Sequence, residues 1–263
     1  MLDRILLNLF ANQWAVFGIV TLLLLALAEA GCRFGLASRR NNPKAAENQG
    51  GVVQGSVLGL LGLLLGFSFA MAVGRYDVRR SLVVDEANSI GTTWLRADFL
   101  PAPHKQEVKD LLKRYTRLKL ADSGVATTRE ATMRSRAEIA EILNALWAHA
   151  DAAVAGKPTP VTVSFVTTLN ETIDFDSSHK AALLNHVPGA VWLLLMLVAG
   201  CGAWASGYGS GTGGTRFAFS QWVFPLMIGV VITLIADIDR PQQGLINVNQ
   251  QPLQDLLESM QQP

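Results

Sequence analysis

The chain has 263 residues, of which 50% are hydrophobic and only 16% are charged, and its formal net charge is +1 at pH 7. Because a typical soluble domain contains about 25% charged residues, this composition argues against an ordinary soluble protein. The balanced charge also lacks the positive field that nucleic-acid-binding proteins use, so nucleic acid is excluded as a partner.

Two apolar segments predict a pair of transmembrane helices within residues 1–74. The first spans about residues 14–30, with Trp14 as an interfacial anchor. Glu29 and Arg33 at its end have the spacing of an i,i+4 ion pair, and the basic sequence that follows predicts a short loop. The second spans about residues 51–73, which contain no charged residue and as a helix would reach roughly 35 Å.

Glycines recur along one face of the second span. They are Gly55, Gly59, Gly62 and Gly66. One interpretation is close packing between membrane helices, which small residues allow without any pore. In the alternative, second helices from several subunits surround an axis, and Phe67 and Phe69 form hydrophobic constrictions that gate by dewetting. The spacing is compatible with both.

Residues 75–187 are charged and amphipathic, which predicts a helical domain outside the bilayer. Breaks are expected at residues 101–103, 123–124 and 156–160, where proline, serine and glycine interrupt the pattern. The first of the four resulting helices continues the second span through Trp94, because no proline intervenes. The other three are expected at about residues 104–121 and 128–155 and from residue 160 onward, and together they suffice for a small bundle.

Charged side chains follow the second span directly. They are Arg75, Arg79, Arg80, Asp85 and Glu86. Interfacial anchoring explains the arginines, whereas a charged vestibule ring that selects ions by sign is the alternative. Because the spacings between arginines and acids are not those of i,i+4 pairs, we expect partners on other helices.

Residues 188–240 predict a transmembrane hairpin with spans at about 187–205 and 217–236. The glycine-rich segment between them, residues 207–214, predicts a flexible turn, since it lacks the Lys followed by Ser/Thr that ends a phosphate-binding loop. Asp237, Asp239 and Arg240 end the last span, and Pro241 stops its helix, which indicates a capped and salt-bridged helix end. The tail, residues 241–263, predicts a short amphipathic helix.

Neither a catalytic nor a metal-binding motif is present. The four histidines lack metal-ligand spacing, and Cys32 and Cys201 lie at or inside apolar segments without Cys or His neighbours. The sequence contains no nucleophile beside a base, no paired acids at a pocket and no HExxH helix. We therefore predict that the protein is not an enzyme and holds no metal or cofactor.

These elements predict an all-α integral membrane protein, with four transmembrane helices arranged two and two around an inserted helical extramembrane bundle. Two segments then resemble a family of uncharacterised bacterial membrane proteins with a bestrophin-like domain. They are LLGLLLGFSFAMAVGRYDVRRSLVVDEANSIGTTWLR, from Leu60 to Arg96, and ADIDRPQQGLINVNQQPLQDL, from Ala236 to Leu256. The second segment marks five residues as candidates for docking the tail, namely Asp237, Asp239, Arg240, Pro241 and Gly244.

A more distant resemblance is to bestrophins proper, pentameric ion channels in which a glycine-bearing second helix narrows to an apolar neck and continues into the cytosol. Residues 63–67 followed by Arg75, Tyr76 and Arg79 are similar to that passage, although the Trp and Glu pattern after the neck and a calcium-binding acidic cluster are absent. The resemblance implies a homo-oligomer in the inner membrane that conducts inorganic ions, with a cytoplasmic helical domain.

The positive-inside rule leaves the orientation open, with five basic residues on one side and six on the other. The alternative function is a non-conducting membrane scaffold or sensor whose helical domain binds a protein partner.

Overall fold

The computed structural model describes residues 13–41, 50–123, 129–156, 159–214, 219–240 and 245–262, and every regular element in these ranges is helical. The helices are α1 (Gln13–Asn41), α2 (Gly50–Arg96), α3 (His104–Ser123), α4 (Arg129–Gly156), α5 (Pro160–Leu184), α6 (Gly189–Thr212), α7 (Phe219–Asp239) and α8 (Gln251–Ser259), with a 3-10 turn at Ala97–Phe99. The chain divides into a first unit, Met1–Gly74 with His186–Ile246, and a second unit, Arg75–Asn185 with Asn247–Pro263.

The first unit carries the apolar helices. Four helical stretches in the described residues are long and apolar enough to cross a membrane, and they lie in α1, in α2, in the stretch that ends with α6, and in α7. Large apolar side chains cover their outer faces, among them Leu22, Phe34, Leu193, Phe219 and Trp222. Water would penalise an apolar surface of this extent, whereas lipid covers it. The predicted all-α membrane fold is confirmed.

Helices α1 and α6 pack backbone against backbone through glycines. Gly31 and Gly35 of α1 face the carbonyls of Trp204 and Tyr208, and a Cβ on either glycine would collide with them. Gly207 of α6 likewise faces the carbonyl of Ala28. Two glycines four residues apart on each helix thus let the helices approach closely, as membrane helices commonly do.

This contact corrects two predicted boundaries. The helix α1 continues to Asn41 instead of ending near residue 30, and α6 continues to Thr212, so most of the segment predicted as a turn is helical. Gly213 and Gly214 follow α6 as a turn, and the φ of 77° at Gly214 favours glycine. The physical reason is that Gly35 and Gly211 pack against the opposite helix and extend both helices together. The predicted pair of Glu29 and Arg33 is confirmed at 2.7 Å.

The second unit is a bundle around an apolar core supplied by α2, α3, α4, α5 and α8. Its fully buried side chains include Ile90, Leu112, Leu146, Phe165 and Leu253. Helix α5 begins at Pro160, whose fixed backbone suits the first turn of a helix. The Thr159 hydroxyl caps this end by accepting a hydrogen bond from the Thr162 amide. The tail helix α8 packs on α3 and contributes Leu253 to this core.

Candidate functional site

Helix α2 has one face that is buried within the chain. Its apolar part places Leu61, Leu65, Ser68 and Ala72 on that face, at alternating spacings of four, three and four residues. Such spacing keeps a single stripe of a helix against its neighbours. Among the described residues, the remaining circumference of α2 in the first unit is exposed, for example at Leu60 and Leu63.

The glycine stripe lies on this remaining circumference. A Cβ added at Gly55, Gly59, Gly62 or Gly66 would have no atom of the described chain within 4 Å. Among the described residues, the stripe therefore has no close-packed helix opposite it, in contrast to Gly31 and Gly207.

The two phenylalanines after the stripe point in different directions. Phe67 is 63% exposed and Phe69 is 39% exposed. Residues two apart on an α-helix are separated by about 200°, so the two rings cannot face the same axis. Measured around the helix axis from the centre of the buried face, Phe69 lies about 70° away in one direction. Phe67 lies about 130° away in the opposite direction.

The structure separates the charged residues that follow the span. Arg80 is exposed, while Arg75 and Asp85 are partly buried. Arg79 is 1% exposed, and its guanidinium donates to the carbonyls of Ala182 at 3.1 Å and Asn185 at 2.9 Å. These carbonyls end α5, where a positive charge is favourable.

Glu86 is also fully buried, in the second unit three turns beyond the charge-free run of α2. Its carboxylate accepts from the Tyr115 hydroxyl at 2.7 Å and pairs with His179 at 2.8 Å and Lys119 at 2.9 Å. Lys119 also contacts Asp176 at 3.2 Å. Arg79 and Glu86 therefore have the expected partners on other helices, and their burial removes both from the hypothetical vestibule ring.

The environment of Glu86 holds its charge. Burial by itself raises the pKa of the carboxyl, but the hydrogen bond from His179 and the charge of Lys119 outweigh it, so the pKa falls from 4.5 to about 2. Burial and the nearby Glu86 carboxylate raise the pKa of the Tyr115 hydroxyl well above 10. The network thus combines an ionised acid with a neutral phenol donor at physiological pH.

The acids at the end of α7 bind backbone amides of the first unit. The Asp237 carboxylate accepts from the amides of Leu245 at 3.0 Å and Ile246 at 3.1 Å. Both oxygens of the buried Asp239 lie within 3.1 Å of the Val187 amide nitrogen. These aspartates fix the chain before α6 and after α7, which is a structural role.

The remaining tail-motif candidates are less informative. Arg240 is partly buried and has a partner in the structure. Pro241 and Gly244 lie outside the described residues. Their predicted part in docking the tail stays a prediction.

Three side chains that the sequence did not connect meet in the second unit. The Nδ1 atoms of His104 and His149 are 3.1 Å apart, and an oxygen of Glu107 lies 3.4 Å from the His149 nitrogen. The spacing of His104 and Glu107, three residues apart on one helix face, was a visible signal. His149 is 45 residues away from His104 along the chain, so only the packing of α4 on α3 reveals the cluster.

Known proteins with a similar sequence or a similar fold were found by comparison. The model of the Bestrophin-like domain family matches residues 20–253. A point variant of a bacterial bestrophin homologue from Klebsiella pneumoniae is similar over 91% of this chain and 95% of its own, with 15% identity and a TM-score of 0.64. Another variant of that homologue is similar over 91% of this chain and 96% of its own, with 14% identity and a TM-score of 0.62. A structure described as a membrane protein covers 91% and 95%, with 14% identity and a TM-score of 0.63.

No match is found among curated proteins. At identities of 15% and below, the similarity to solved structures establishes the fold alone.

Proposed function

Because this chain belongs to the bestrophin-like domain family, we propose that its copies assemble into an ion channel in the bacterial inner membrane, with α2 of each copy beside a central axis. The resemblance to bestrophins suggests five copies. The proposal requires that α2 present one face to its own chain, another to neighbouring copies and a third to the axis.

The open glycine stripe of α2 is the observation that carries this proposal. In a membrane, lipid tails are as apolar as aliphatic side chains, so helix association relies on close packing at small residues. A Cβ on Gly59 or Gly62 would meet no atom of the described residues within 4 Å, whereas Gly31 and Gly207 pack against backbone carbonyls. A second copy of α2 would supply the missing neighbour and would leave the remaining face of α2 towards the axis.

The axis-facing side follows from the buried side. If the face of Leu61 and Leu65 points outward to the rest of its own chain, the axis lies opposite. Leu63 is then directed towards the axis within about 10°, and Phe67 lies about 50° from it. Phe69 lies about 110° from it and would face a neighbouring copy. We therefore assign the apolar constriction to Leu63 and Phe67, and we assign packing between copies to Phe69.

Burial divides the charges that follow the constriction. Arg80 is exposed and Arg75 and Asp85 are partly buried, so these three are the candidates for a vestibule that selects ions by sign. The second unit forms that vestibule and lies in the cytoplasm. A protease-accessibility measurement on spheroplasts and inverted vesicles tests this orientation.

The experiment combines particle imaging with an ion-flux assay on the purified full-length protein in liposomes. A closed ring of copies with an axial opening is expected, together with measurable flux of monovalent ions. Phe67→Ala widens the constriction and lowers its barrier to water, while Leu63 remains, so flux should rise several-fold. Phe69→Ala is the matched control and should leave conductance per assembled ring nearly unchanged.

Two results would contradict the proposal. One is the absence of flux under varied pH, voltage and calcium while the ring is intact. The other is a monomeric or dimeric particle without an axial opening, which would favour the non-conducting scaffold or sensor. Equal effects of the two alanine variants on flux would leave the channel proposal standing but would refute the assignment of Phe67 to the constriction.

A further inference from the structure

We propose that His104, Glu107 and His149 form a binding site for a divalent transition-metal ion of the zinc type, which joins α3 to α4 in the second unit. The site is independent of the channel hypothesis, since it uses neither α2 nor the membrane helices. It is also distinct from the buried network, in which Glu86 binds Tyr115 and His179.

The two helices present these side chains at one end of their contact. His104 is the first residue of α3, and Glu107 follows in the first turn on the same face. His149 lies in the last third of α4, which packs on α3. Because α4 returns along α3, its C-terminal part meets the start of α3, and the three ligand groups converge.

The distances suit ligation of one ion. Two ligands at about 2.0–2.1 Å from a tetrahedral zinc ion are separated by about 3.3 Å. The two histidine nitrogens are 3.1 Å apart, and the carboxylate oxygen of Glu107 is 3.4 Å from the His149 nitrogen. The ligand atoms of all three residues lie within 4.8 Å of one another. A small adjustment of side-chain torsions therefore places one ion at coordinating distance from all three.

The chemistry of the site favours a transition metal over calcium or magnesium. Imidazole nitrogens suit zinc, copper and nickel, whereas calcium and magnesium prefer sites built from oxygen alone. The His149 side chain is 23% exposed and that of Glu107 is 52% exposed, so an ion has access and water can complete its coordination. The neighbouring ammonium of Lys105 is paired with Asp98 at 3.0 Å, which offsets its repulsion of a cation.

The competing explanation is a simple hydrogen bond between two neutral imidazoles. One ring would donate its Nδ1 proton to the other, and no ion would be needed. The rings are tilted by 67° with centroids 5.4 Å apart, so they are not stacked, and their Nδ1 atoms are 3.1 Å apart. A metal-binding measurement separates the two explanations, because a hydrogen-bonded pair has no affinity beyond that of surface histidines.

The test uses the full chain in detergent after removal of any polyhistidine tag and of bound metals. Titration with Zn²⁺ and with Co²⁺ should give about one ion per chain, with Co²⁺ absorption bands typical of low-coordinate nitrogen and oxygen ligands. His104→Gln and His149→Gln should each weaken binding at least about a hundredfold, and Glu107→Gln about tenfold. Glu130→Gln removes an exposed acid of α4 outside the cluster and should leave the affinity unchanged.

Circular dichroism establishes that each variant is folded. Equal Zn²⁺ binding by the unchanged chain and by a folded variant with both glutamines would overturn the proposal, as would a Co²⁺ spectrum identical to that of the hydrated ion. If a histidine variant does not fold, that spectrum and the comparison of Glu107→Gln with Glu130→Gln still decide the question.

Discussion

Replacement of Glu86 by glutamine tests the buried network of the second unit. The substitution keeps the shape of the side chain and an oxygen that accepts from Tyr115, but it removes the charge that pairs with Lys119 and binds His179. Lys119 retains Asp176 at 3.2 Å, so one partner remains for the buried ammonium. We expect the second unit to be destabilised.

The magnitude follows from the pKa of Glu86. Its fall from 4.5 to about 2 corresponds to roughly 3 kcal/mol of folding free energy at neutral pH. The removal of one partner from a buried ion pair gives a similar figure, about 3–5 kcal/mol. Glu138→Gln is the matched control, because Glu138 pairs with Arg114 on the surface. Such exposed pairs contribute about 1 kcal/mol or less.

Hydrogen exchange of the full chain in detergent measures this difference locally. Because 3 kcal/mol corresponds to about a hundredfold, amides of α3 and α5 should exchange about a hundred times faster in Glu86→Gln. Glu138→Gln should change exchange by less than about tenfold. A similar small effect of both substitutions would refute the argument that Glu86 is an ionised, buried centre of the unit.

The same network predicts a dependence of stability on pH. The pKa of Glu86 in the folded protein lies below its ordinary value, so the stabilisation is complete above pH 4.5 and disappears as the pH falls towards 2. The difference in unfolding temperature between the unchanged chain and Glu86→Gln should therefore shrink from pH 7 to pH 3. A difference independent of pH would contradict the charge-based explanation.

Two further substitutions test the first unit. Gly207→Ala should lower stability in detergent by about 1–3 kcal/mol, because the new Cβ meets the carbonyl of Ala28 and separates α1 from α6. Gly18→Ala is the control, because an added Cβ there meets no described atom within 4 Å, and it should be neutral or slightly stabilising. Equal effects of the two substitutions would exclude the glycine contact as the cause. Asp239→Asn should cost about 1.5–3 kcal/mol, because the charged acceptor of the Val187 amide is lost. Unchanged hydrogen exchange at the start of α6 would contradict it.

Local sequence patterns predicted the helices well. The long helix α2 was expected because no proline interrupts residues 51–96, and the breaks before α3 and α5 were expected from prolines at positions 101–103 and 160. Capping and proline chemistry act within a few residues, so they are visible in the sequence alone. The ends of α1 and α6 were predicted wrongly, because they depend on Gly35 and Gly211. These glycines pack on helices far away in the chain.

The site residues show the same division. Arg79 and Glu86 looked like members of a charged ring because they follow an apolar span, yet the structure buries both against α3 and α5. The spacing of the charges indicated only that partners had to come from other helices. The pairing of His104 with His149 was invisible for a similar reason, since ligands on two helices have no fixed spacing in sequence.

By itself the sequence determined that this is an all-α protein with apolar helices long enough to cross a membrane, because helix periodicity and the absence of charge are local properties. Only the tertiary structure decided which glycines are packed and which are open. Gly31 and Gly35 have the same four-residue spacing as Gly55 and Gly59, yet the first pair packs on a helix backbone, while a Cβ on the second pair would meet no atom in the described parts of the chain. A glycine has no side chain to reveal its environment, so its role depends entirely on what folding places opposite it.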